Sequence, residues 1–491
     1  MTPSERVAAQ IHATEANIRL LSSLIPGLTS ELAKERQALS RLWLQVLPVG
    51  KIPTELLLEI FALLVEPTTS KPTMTKEPFD ARHPFQQALR LSQVSSSWRQ
   101  IVLHAPRLWA AGSVDVRLQK MEKHPQKSYL AILQALLDRS APFPFTISIW
   151  DGSASSRADE PFINDVTRLL TPTMSRWKVL SVNERAFESF ARMFPGPLMA
   201  LEGVDFRYRA RRYNAERPLD TFALCPRLRS VKVAPSGIFE MSRHAEHDVL
   251  RMPWAQLTQL HLSEPLDAAT CRSILLQCTN IVAATLETVE WDKGDLPAPL
   301  TVLPFLTTLK MRFQKMYDPV GEVGVGSFFR PLSLPALADL NVEFDCTWPT
   351  PDFSAFQHHS PNLVEFSLKN CPISAEELRN VLRLSPILTV LALECDTSLD
   401  TDLVQAFNFN PMQQLVPRLQ ELYLRGSAEH FAPRILEAAI RTRMNDTVSP
   451  DGVARLRKVF LEVHPYPQSA KSDMLYRMRD LVQHGLEVQI W

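Results

Sequence analysis

The stretches LVEFSL (363–368) and LTVLAL (388–393) share one phrase, L-x-x-L-x-L, in which any apolar residue can replace Leu. Apolar and polar residues alternate in the second half of the phrase, which predicts a short β-strand with one buried side. The phrase recurs along the chain as WKVLSV (177), LEGVDF (201), LRSVKV (228), LTQLHL (257), LETVEW (286), LTTLKM (306), LADLNV (337), LVEFSL (363), LTVLAL (388), LQELYL (419) and LRKVFL (456).

These copies follow one another at an average spacing of about 28 residues, which is typical of leucine-rich repeats. One short strand cannot bury its apolar face alone, whereas strands stacked in register form a parallel sheet with a continuous core. The intervals vary from 20 to 37 residues and no Asn follows the strands regularly, so we expect an irregular solenoid. FPFTISIW (143–150) predicts a preceding strand, so we expect the array to cover 143–491. One side of that strand should carry Phe143, Phe145, Ile147 and Ile149.

Helices should connect the predicted strands on one face of the sheet. SAEELRNVLRLSP shows this most clearly, because Ser374 and Glu377 have the spacing of a capping box. NERAFESFARMF (183–194) and APRILEAAIRTR (432–443) also have a helical apolar pattern.

The N-terminal segment, residues 4–46, has a heptad-like apolar rhythm in which Thr14 and Glu35 occupy two seam positions. Pro26-Gly27 interrupts the rhythm and predicts two helices, 4–25 and 28–46, either kinked or folded back as a hairpin. Two roles stay open, namely packing on the next domain and self-association as a coiled coil. The apolar seam consists of Ile11, Ile18, Leu21, Ile25, Leu28, Leu32, Leu39, Leu42 and Val46.

The run KIPTELLLEIFALLVEP (51–67) predicts a further helix. Pro53 suits its first turn and Glu55 suits its positive end. Apolar residues cover more than one of its faces, so it should be buried on several sides.

Residues 67–87 contain four prolines and no periodicity, which predicts an inserted loop. The helical pattern resumes over 88–103 and ends at Pro106. This helix should carry a shared stripe of Leu89, Val94, Trp98 and Ile101.

IPTELLLEIF (52–61) followed by LRLSQVSSSWRQIVLHAPRLW (89–109) resembles an F-box, whose pattern is roughly L-P-x-E-[IL]-L…IF…L…V-[CS]-x-x-W-R…P-x-L-W. Ile52 stands where Leu is usual, and the insertion is long. The layout also looks like fungal (basidiomycete-type) F-box proteins, which carry an N-terminal heptad helix and a degenerate leucine-rich array.

The resemblance implies an F-box at 48–110 that docks on a Skp-type adaptor and, through it, on a cullin-based ubiquitin ligase. Leu56, Leu57 and Phe61 could equally form the core of the unit, and we expect Trp109 to be buried core. By resemblance, the adaptor would contact Pro53, Glu55, Leu56, Leu57, Ile60, Phe61, Val94, Trp98 and Arg99.

Composition limits the class of protein and its compartment. With 45% hydrophobic and 22% charged residues the chain is globular, and 53 basic against 53 acidic residues provide no net charge for nucleic acid. No apolar run is long enough for a membrane span, and the N-terminus lacks signal-peptide features. We expect an intracellular protein, nuclear or cytoplasmic, with free thiols at Cys225, Cys271, Cys278, Cys346, Cys371 and Cys395.

The sequence carries no recognisable catalytic constellation. GEVGVGS (321–327) lacks phosphate-loop spacing, and His358-His359 has no ligand partner at useful spacing, so we expect no enzyme activity, metal or cofactor. FRYRARRYNAER (206–217) interleaves Arg with Tyr and could bind an acidic client, although an exposed loop whose arginines meet neighbouring carboxylates is the favoured explanation. The candidate client patch is Arg207, Arg209, Arg211 and Arg212.

Together these patterns predict an α plus α/β protein, in which N-terminal helices and a small helical F-box precede an irregular leucine-rich-repeat solenoid. The function we expect is that of a ligase substrate receptor that binds an unknown client protein through the repeats. The alternative is a non-ligase scaffold whose F-box-like helices only cap the solenoid. A nucleic-acid-binding solenoid rests on the Arg-Tyr stretch alone.

Overall fold

The computed structural model divides the chain into two compact units, residues 1–114 with 131–145 and residues 115–130 with 146–491. It describes residues 3–46, 51–65, 84–118, 126–151, 160–183, 186, 198–208, 222–235, 252–263, 268–288, 300–313, 326–344, 348–371, 373–398, 401–405, 415–427, 433–444, 454–464 and 468–490.

The first unit is helical. Its helices are α1 (Pro3–Val46), α2 (Thr54–Val65), α3 (Pro84–Val94), α4 (Ser96–Leu103), α5 (Pro106–Ala110) and the second half of α6 (Gln126–Arg139).

Helix α1 is continuous through Pro26, so the prediction of two helices is wrong. Proline removes one intrahelical donor, and hydroxyl groups bond backbone carbonyls on both sides of it. Ser23 Oγ donates to Leu20 O at 2.7 Å, and Thr29 Oγ1 donates to Pro26 O at 2.9 Å. All described side chains of α1 are exposed, so the predicted packing on the next domain is not seen for any of them.

The helix predicted over 88–103 is two helices, because the chain turns at Ser95. Ser95 is extended (φ −155°, ψ 165°), and its Oγ accepts the Trp98 N–H at 3.1 Å, which caps α4. Val94 therefore ends α3 and is exposed, whereas Trp98 lies on α4 and is partly buried. The two residues do not share the stripe of one helix. The first of these helices also begins earlier than predicted, at Pro84.

The second unit is built on a long parallel sheet with connecting helices, as predicted. In the described residues fourteen strands form one sheet, in the order β1-β2-β3-β4-β5-β6-β7-β9-β11-β12-β13-β14-β15-β16, and β8 pairs with β10 beside it. The strands are β1 (Ser113–Arg117), β2 (Phe145–Trp150), β3 (Trp177–Asn183), β4 (Gly203–Tyr208), β5 (Ser230–Pro235), β6 (Gln259–Leu262), β7 (Ala283–Thr288), β8 (Thr301–Val302), β9 (Thr308–Phe313), β10 (Leu332–Ser333), β11 (Asp339–Phe344), β12 (Glu365–Lys369), β13 (Val390–Ser398), β14 (Glu421–Ser427), β15 (Lys458–His464) and β16 (Glu487–Ile490).

The strand register follows the L-x-x-L-x-L phrase at every predicted copy except one. β7 spans Ala283–Thr288, and Leu286 pairs with Met311, so the repeat there is IVAATL (281–286) and not LETVEW. The small Ala284 fills the middle apolar position, where it is buried, and this weak signal explains the misplaced prediction.

The N-terminal edge of the sheet also differs in detail from the sequence pattern. Phe145, Ile147 and Ile149 point into the core from β2 as predicted, whereas Phe143 is exposed and precedes the strand. The sheet begins with β1 at Ser113, before residue 143, where the repeats were predicted to start.

The helices of the second unit follow the strands. They are α7 (Glu160–Leu170), α8 (Ala268–Gln277), α9 (Gly326–Phe329), α10 (Thr350–His358), α11 (Ala375–Arg383), α12 (Thr401–Gln405), α13 (Pro433–Met444), α14 (Gln468–Arg477) and α15 (Arg479–Gln483). The helix predicted over 432–443 is confirmed by α13, whereas that predicted over 183–194 lies almost wholly outside the described residues.

The capping box predicted for α11 is present. Ser374 Oγ accepts the Glu377 N–H at 3.3 Å, and the Ser374 N–H donates to Glu377 Oε2 at 2.9 Å. Thr350, at the start of α10, donates its hydroxyl to Glu377 Oε1 at 2.6 Å. Burial raises the pKa of Glu377, but the hydrogen bonds from Thr350 and Ser374 outweigh burial and leave this pKa below its usual value.

Aromatic rings fill the core beneath β9, β11 and β12. Neighbouring ring centroids lie between 4.5 Å (Trp348–Phe353) and 6.3 Å (Trp348–Phe366) apart, in tilted and edge-to-face arrangements. This packing holds the short helices α9 and α10 against the sheet. The rings belong to Phe313, Phe328, Phe329, Phe344, Trp348, Phe353, Phe356 and Phe366.

Candidate partner-binding surfaces

Helices α2 to α5 share a hydrophobic core with α6. Trp109 is buried in it, as predicted, and its Nε1 donates to Val102 O at 2.8 Å. Leu57 and Phe61, two of the predicted adaptor contacts, also lie in this core, so they stabilise the unit and do not face a partner. The buried members are Leu57, Phe61, Val65, Ala88, Val102, Ala105, Leu108, Trp109 and Leu136.

Trp98 supports the core from its edge. Its ring centroid lies 4.7 Å from that of Phe61, and the side chain is only partly buried. The Ser95 cap fixes the first turn of α4 and thereby the position of this indole. Trp98 is therefore a structural residue with one accessible edge.

The opposite side of α2 is apolar and exposed. Residues three or four apart along a helix share a face, and the exposed Glu59 borders this apolar side. We name it the α2 stripe, and it consists of Leu56 (56% exposed), Ile60 (43%), Leu63 (72%) and Leu64 (58%).

Sequence reasoning identified Leu56 and Ile60 in this stripe but missed Leu63 and Leu64. Apart from Glu59, the run LLLEIFALLV is apolar, so only the packing of Leu57, Phe61 and Val65 shows which leucines remain exposed. An exposed apolar stripe on a helix is typical of a protein interaction site.

The remaining predicted adaptor contacts are exposed at helix ends and surfaces. Pro53 precedes α2, where its carbonyl accepts the Leu57 N–H at 3.1 Å, and Glu55 lies in the first turn. Val94 ends α3 and Arg99 lies on α4. Pro53 and Glu55 thus lie at the N-terminal end of the helix that carries the α2 stripe.

A second surface, which sequence reasoning missed, lies on the sheet. Along β11 the side chains point alternately to the buried face of the sheet and to its opposite face, which we name the open face. Asp339, Asn341 and Glu343 lie on the open face. One column of open-face residues alternates in charge along seven neighbouring strands. This charge ladder is Glu287, Arg312, Glu343, Lys369, Glu394, Arg425 and Glu462.

Ion pairs connect much of the charge ladder. Lys369 Nζ lies 2.8 Å from Glu394 Oε1, and Arg425 lies 3.8 Å from Glu394 and 3.4 Å from Glu462. Arg312 Nε lies 3.2 Å from Glu343 Oε1. Because neighbouring charges cancel, the ladder does not favour a ligand of a single charge sign.

The candidate client patch is only partly described. Arg207 is half-buried on β4, where its Nη2 lies 3.5 Å from Asp205 Oδ2 and its guanidinium lies 5.0 Å from the centre of a Trp150 ring. Arg207 therefore contacts other residues of the sheet. Arg209, Arg211 and Arg212 lie outside the described residues, and their role stays a prediction.

Three further features of the described residues concern metal ligands, cysteine thiols and membrane spans. The described residues contain no group of three or more His, Cys, Asp or Glu side chains that could hold a metal ion. Of the cysteines that the structure describes, Cys225, Cys271, Cys278 and Cys371 are buried thiols outside any disulfide, and burial raises the pKa of Cys278 to about 12. Among these same residues, every helix is too short or too polar to cross a bilayer.

Comparison with known families identifies the helical unit. Residues 49–111 match the family model described as F-box-like. Residues 49–111 form an F-box-like domain. F-box domains generally mediate binding to Skp-type adaptors, and the α2 stripe lies within the matched residues.

The other comparisons add little to this identification. No curated protein matches the chain. A solved structure described as "Crystal structure of TLR13-ssRNA13 complex" is similar with a TM-score of 0.29 and 11% sequence identity, over 78% of this chain and 62% of that chain. The chain thus spans less than two thirds of the length of that protein.

Proposed function

We propose that this protein is the substrate-recognition subunit of a Skp/cullin/F-box ubiquitin ligase, of the kind found among fungal F-box proteins. The α2 stripe on the F-box-like domain is the observation that carries the proposal. Covering it with an adaptor would stabilise the complex by roughly 25 cal/mol per Å² of apolar surface removed from water. Leucine and isoleucine anchors suit the apolar core of an interface, and the neighbouring Glu59 would lie at its polar rim.

The proposed role is not catalytic. The F-box-like domain fixes the molecule to the ligase, and the repeats hold a client protein near the loaded conjugating enzyme. Holding both in one complex makes the transfer effectively intramolecular. The role requires an intracellular location, either cytoplasmic or nuclear. The proposal also includes a coiled coil formed by α1.

The client itself would be bound by the repeats. If the Arg-Tyr stretch binds an acidic degron, changing Arg209, Arg211 and Arg212 to Glu should abolish capture of that client. Adaptor binding should stay unchanged, because the F-box-like domain is a separate compact unit. Capture that survives the triple charge reversal would assign the client to another surface.

The adaptor claim is tested by co-purification of the full-length chain with the organism's Skp-type adaptor and cullin. We expect a stoichiometric complex for the wild type and its loss in the double variant Leu56→Asp, Ile60→Asp. Leu224→Asp is the matched control, since Leu224 is 72% exposed in the second unit and should leave the complex intact. Circular dichroism of each variant verifies folding.

A folded wild-type chain without affinity for the adaptor would contradict the proposal. In that case the F-box-like helices would serve only as an N-terminal cap of the solenoid, and the protein would act as a non-ligase scaffold. Equal loss of binding in Leu224→Asp and in the stripe variant would also count against the α2 stripe as the docking surface.

A further inference from the structure

We infer that α1 pairs with α1 of a second copy of this chain in a parallel, in-register coiled coil. The helix repeats an apolar residue every seven positions, and a second series follows three residues later. The first series is Ile11, Ile18, Ile25, Leu32, Leu39 and Val46, and the second is Thr14, Leu21, Leu28, Glu35 and Leu42.

The seam formed by these two series has no cover within the described part of the chain. Its apolar residues from Ile11 to Leu42 are each between 51% and 67% exposed along one side of a single helix. A long exposed apolar stripe of constant heptad spacing fits another helix of the same spacing, because knobs of one helix then enter holes of the other.

The residue types at the seam favour two parallel strands. β-Branched Ile in the first series together with Leu in the second is the combination that parallel dimers prefer. Here Ile18 and Ile25 alternate with Leu21 and Leu28. Pro26, at the position after Ile25, points away from the seam, so its ring does not enter the pairing surface.

Charge at the seam edge supports the same arrangement. Glu31 precedes the first-series Leu32, and Arg36 follows the second-series Glu35, so the two lie on opposite edges of the seam. In a parallel, in-register pair Glu31 of one helix faces Arg36 of the other, as attractive edge pairs do in coiled coils. Within its own helix Glu31 accepts a hydrogen bond from Lys34 at 2.7 Å, so it would bridge two cations.

One layer opposes this pairing. Glu35 belongs to the second series, so the two Glu35 carboxylates meet across the seam in a parallel pair and repel each other. The dimer should therefore be of intermediate affinity. Dimerisation would place two F-box-like domains in one particle, a property that goes beyond adaptor binding and does not depend on it.

The mass of the full-length chain in solution tests the pairing. Sedimentation equilibrium at micromolar concentration should give twice the mass of one chain, and Leu21→Glu should give one chain mass. Leu20→Glu is the matched control, because Leu20 (60% exposed) and Leu21 (59%) are neighbours and only Leu21 lies on the seam. The control should stay dimeric, and Glu35→Leu should tighten the dimer at least tenfold.

Orientation is tested by disulfide formation. Thr14→Cys should cross-link two chains under mild oxidation, because second-series residues of a parallel pair approach within disulfide range. Ser23→Cys, on the outer face, should not. A wild-type monomer, equal effects of Leu20→Glu and Leu21→Glu, an oligomer larger than two, or no cross-link in a Thr14→Cys dimer would each overturn the inference.

Discussion

At the scale of single residues, Ile60 and Phe61 are neighbours in α2 with opposite environments. Phe61 is fully buried beside Trp98, whereas Ile60 lies in the α2 stripe. We predict that Phe61→Ala lowers the free energy of unfolding of the helical unit by about 3–5 kcal/mol, because it opens a cavity in a small core. Ile60→Ala should lower it by less than about 1 kcal/mol.

Native-state hydrogen exchange of the amides in α2 to α5 measures both substitutions within the full-length chain. Equal loss of protection in the two variants would contradict the division of α2 into a buried and an exposed side. The comparison also separates folding defects from binding defects, since only Ile60 is expected to contact the adaptor.

The capping box of α11 supports a second prediction at this scale. Ser374→Ala should lower the free energy of unfolding by about 1 kcal/mol, since the Glu377 N–H loses its acceptor.

The folded-state pKa of Glu377 is lowered, so its ionised carboxylate stabilises the fold above its unfolded pKa, and this contribution is lost as pH falls through the folded pKa.

Glu377→Gln should therefore lower the free energy of unfolding at pH 7. At acidic pH the variant and the wild type should have nearly the same stability. Urea titrations of wild type and variant at both pH values measure the difference. A gap between the two proteins that does not shrink on acidification would show that the hydrogen bonds to Thr350 and Ser374 do not depend on the charge.

At the scale of elements, the charge ladder connects strands from β7 to β15 on the open face. Glu394 lies between Lys369 and Arg425, so Glu394→Lys would place three cations in a row. We predict that this substitution lowers the free energy of unfolding by about 1 kcal/mol at low ionic strength. The decrease should be smaller in high salt, because partly exposed charges are screened.

Glu365→Lys is the matched control for this substitution. Glu365 lies on the same face of β12 but outside the ladder, so it carries the same change in net charge. Thermal unfolding at two salt concentrations compares the variants. Equal effects at both positions would show that the alternation of charge has no energetic role.

The elements also show why the ladder escaped sequence reasoning. Each ladder residue follows the last apolar residue of a repeat, so its position can be read from the sequence once the register is known. The register failed at β7, where Ala284 takes a Leu position, and Glu287 then fell inside the misplaced phrase. The kind of element was predictable there, but its offset depended on packing.

At the scale of the whole molecule, the two-part organisation was predictable because both parts carry repeated or strongly patterned apolar residues. The phrase L-x-x-L-x-L predicted the parallel sheet, and the Leu-rich run 51–67 together with the stretch 89–109, which carries two Trp residues, predicted the helical unit. The surface of that unit was not predictable, because LLLEIFALLV is apolar except at Glu59 and only tertiary packing distinguishes Leu56 from Leu57.

Titration calorimetry of the full-length chain with the purified Skp-type adaptor is the decisive measurement for docking through the α2 stripe. We expect saturable binding with one adaptor per chain, weakened at least 100-fold by Ile60→Asp and unchanged by Leu224→Asp. A folded wild-type chain that shows no heat of binding to the adaptor at either of two temperatures, or an Ile60→Asp variant that binds as tightly as wild type, would contradict docking through the α2 stripe.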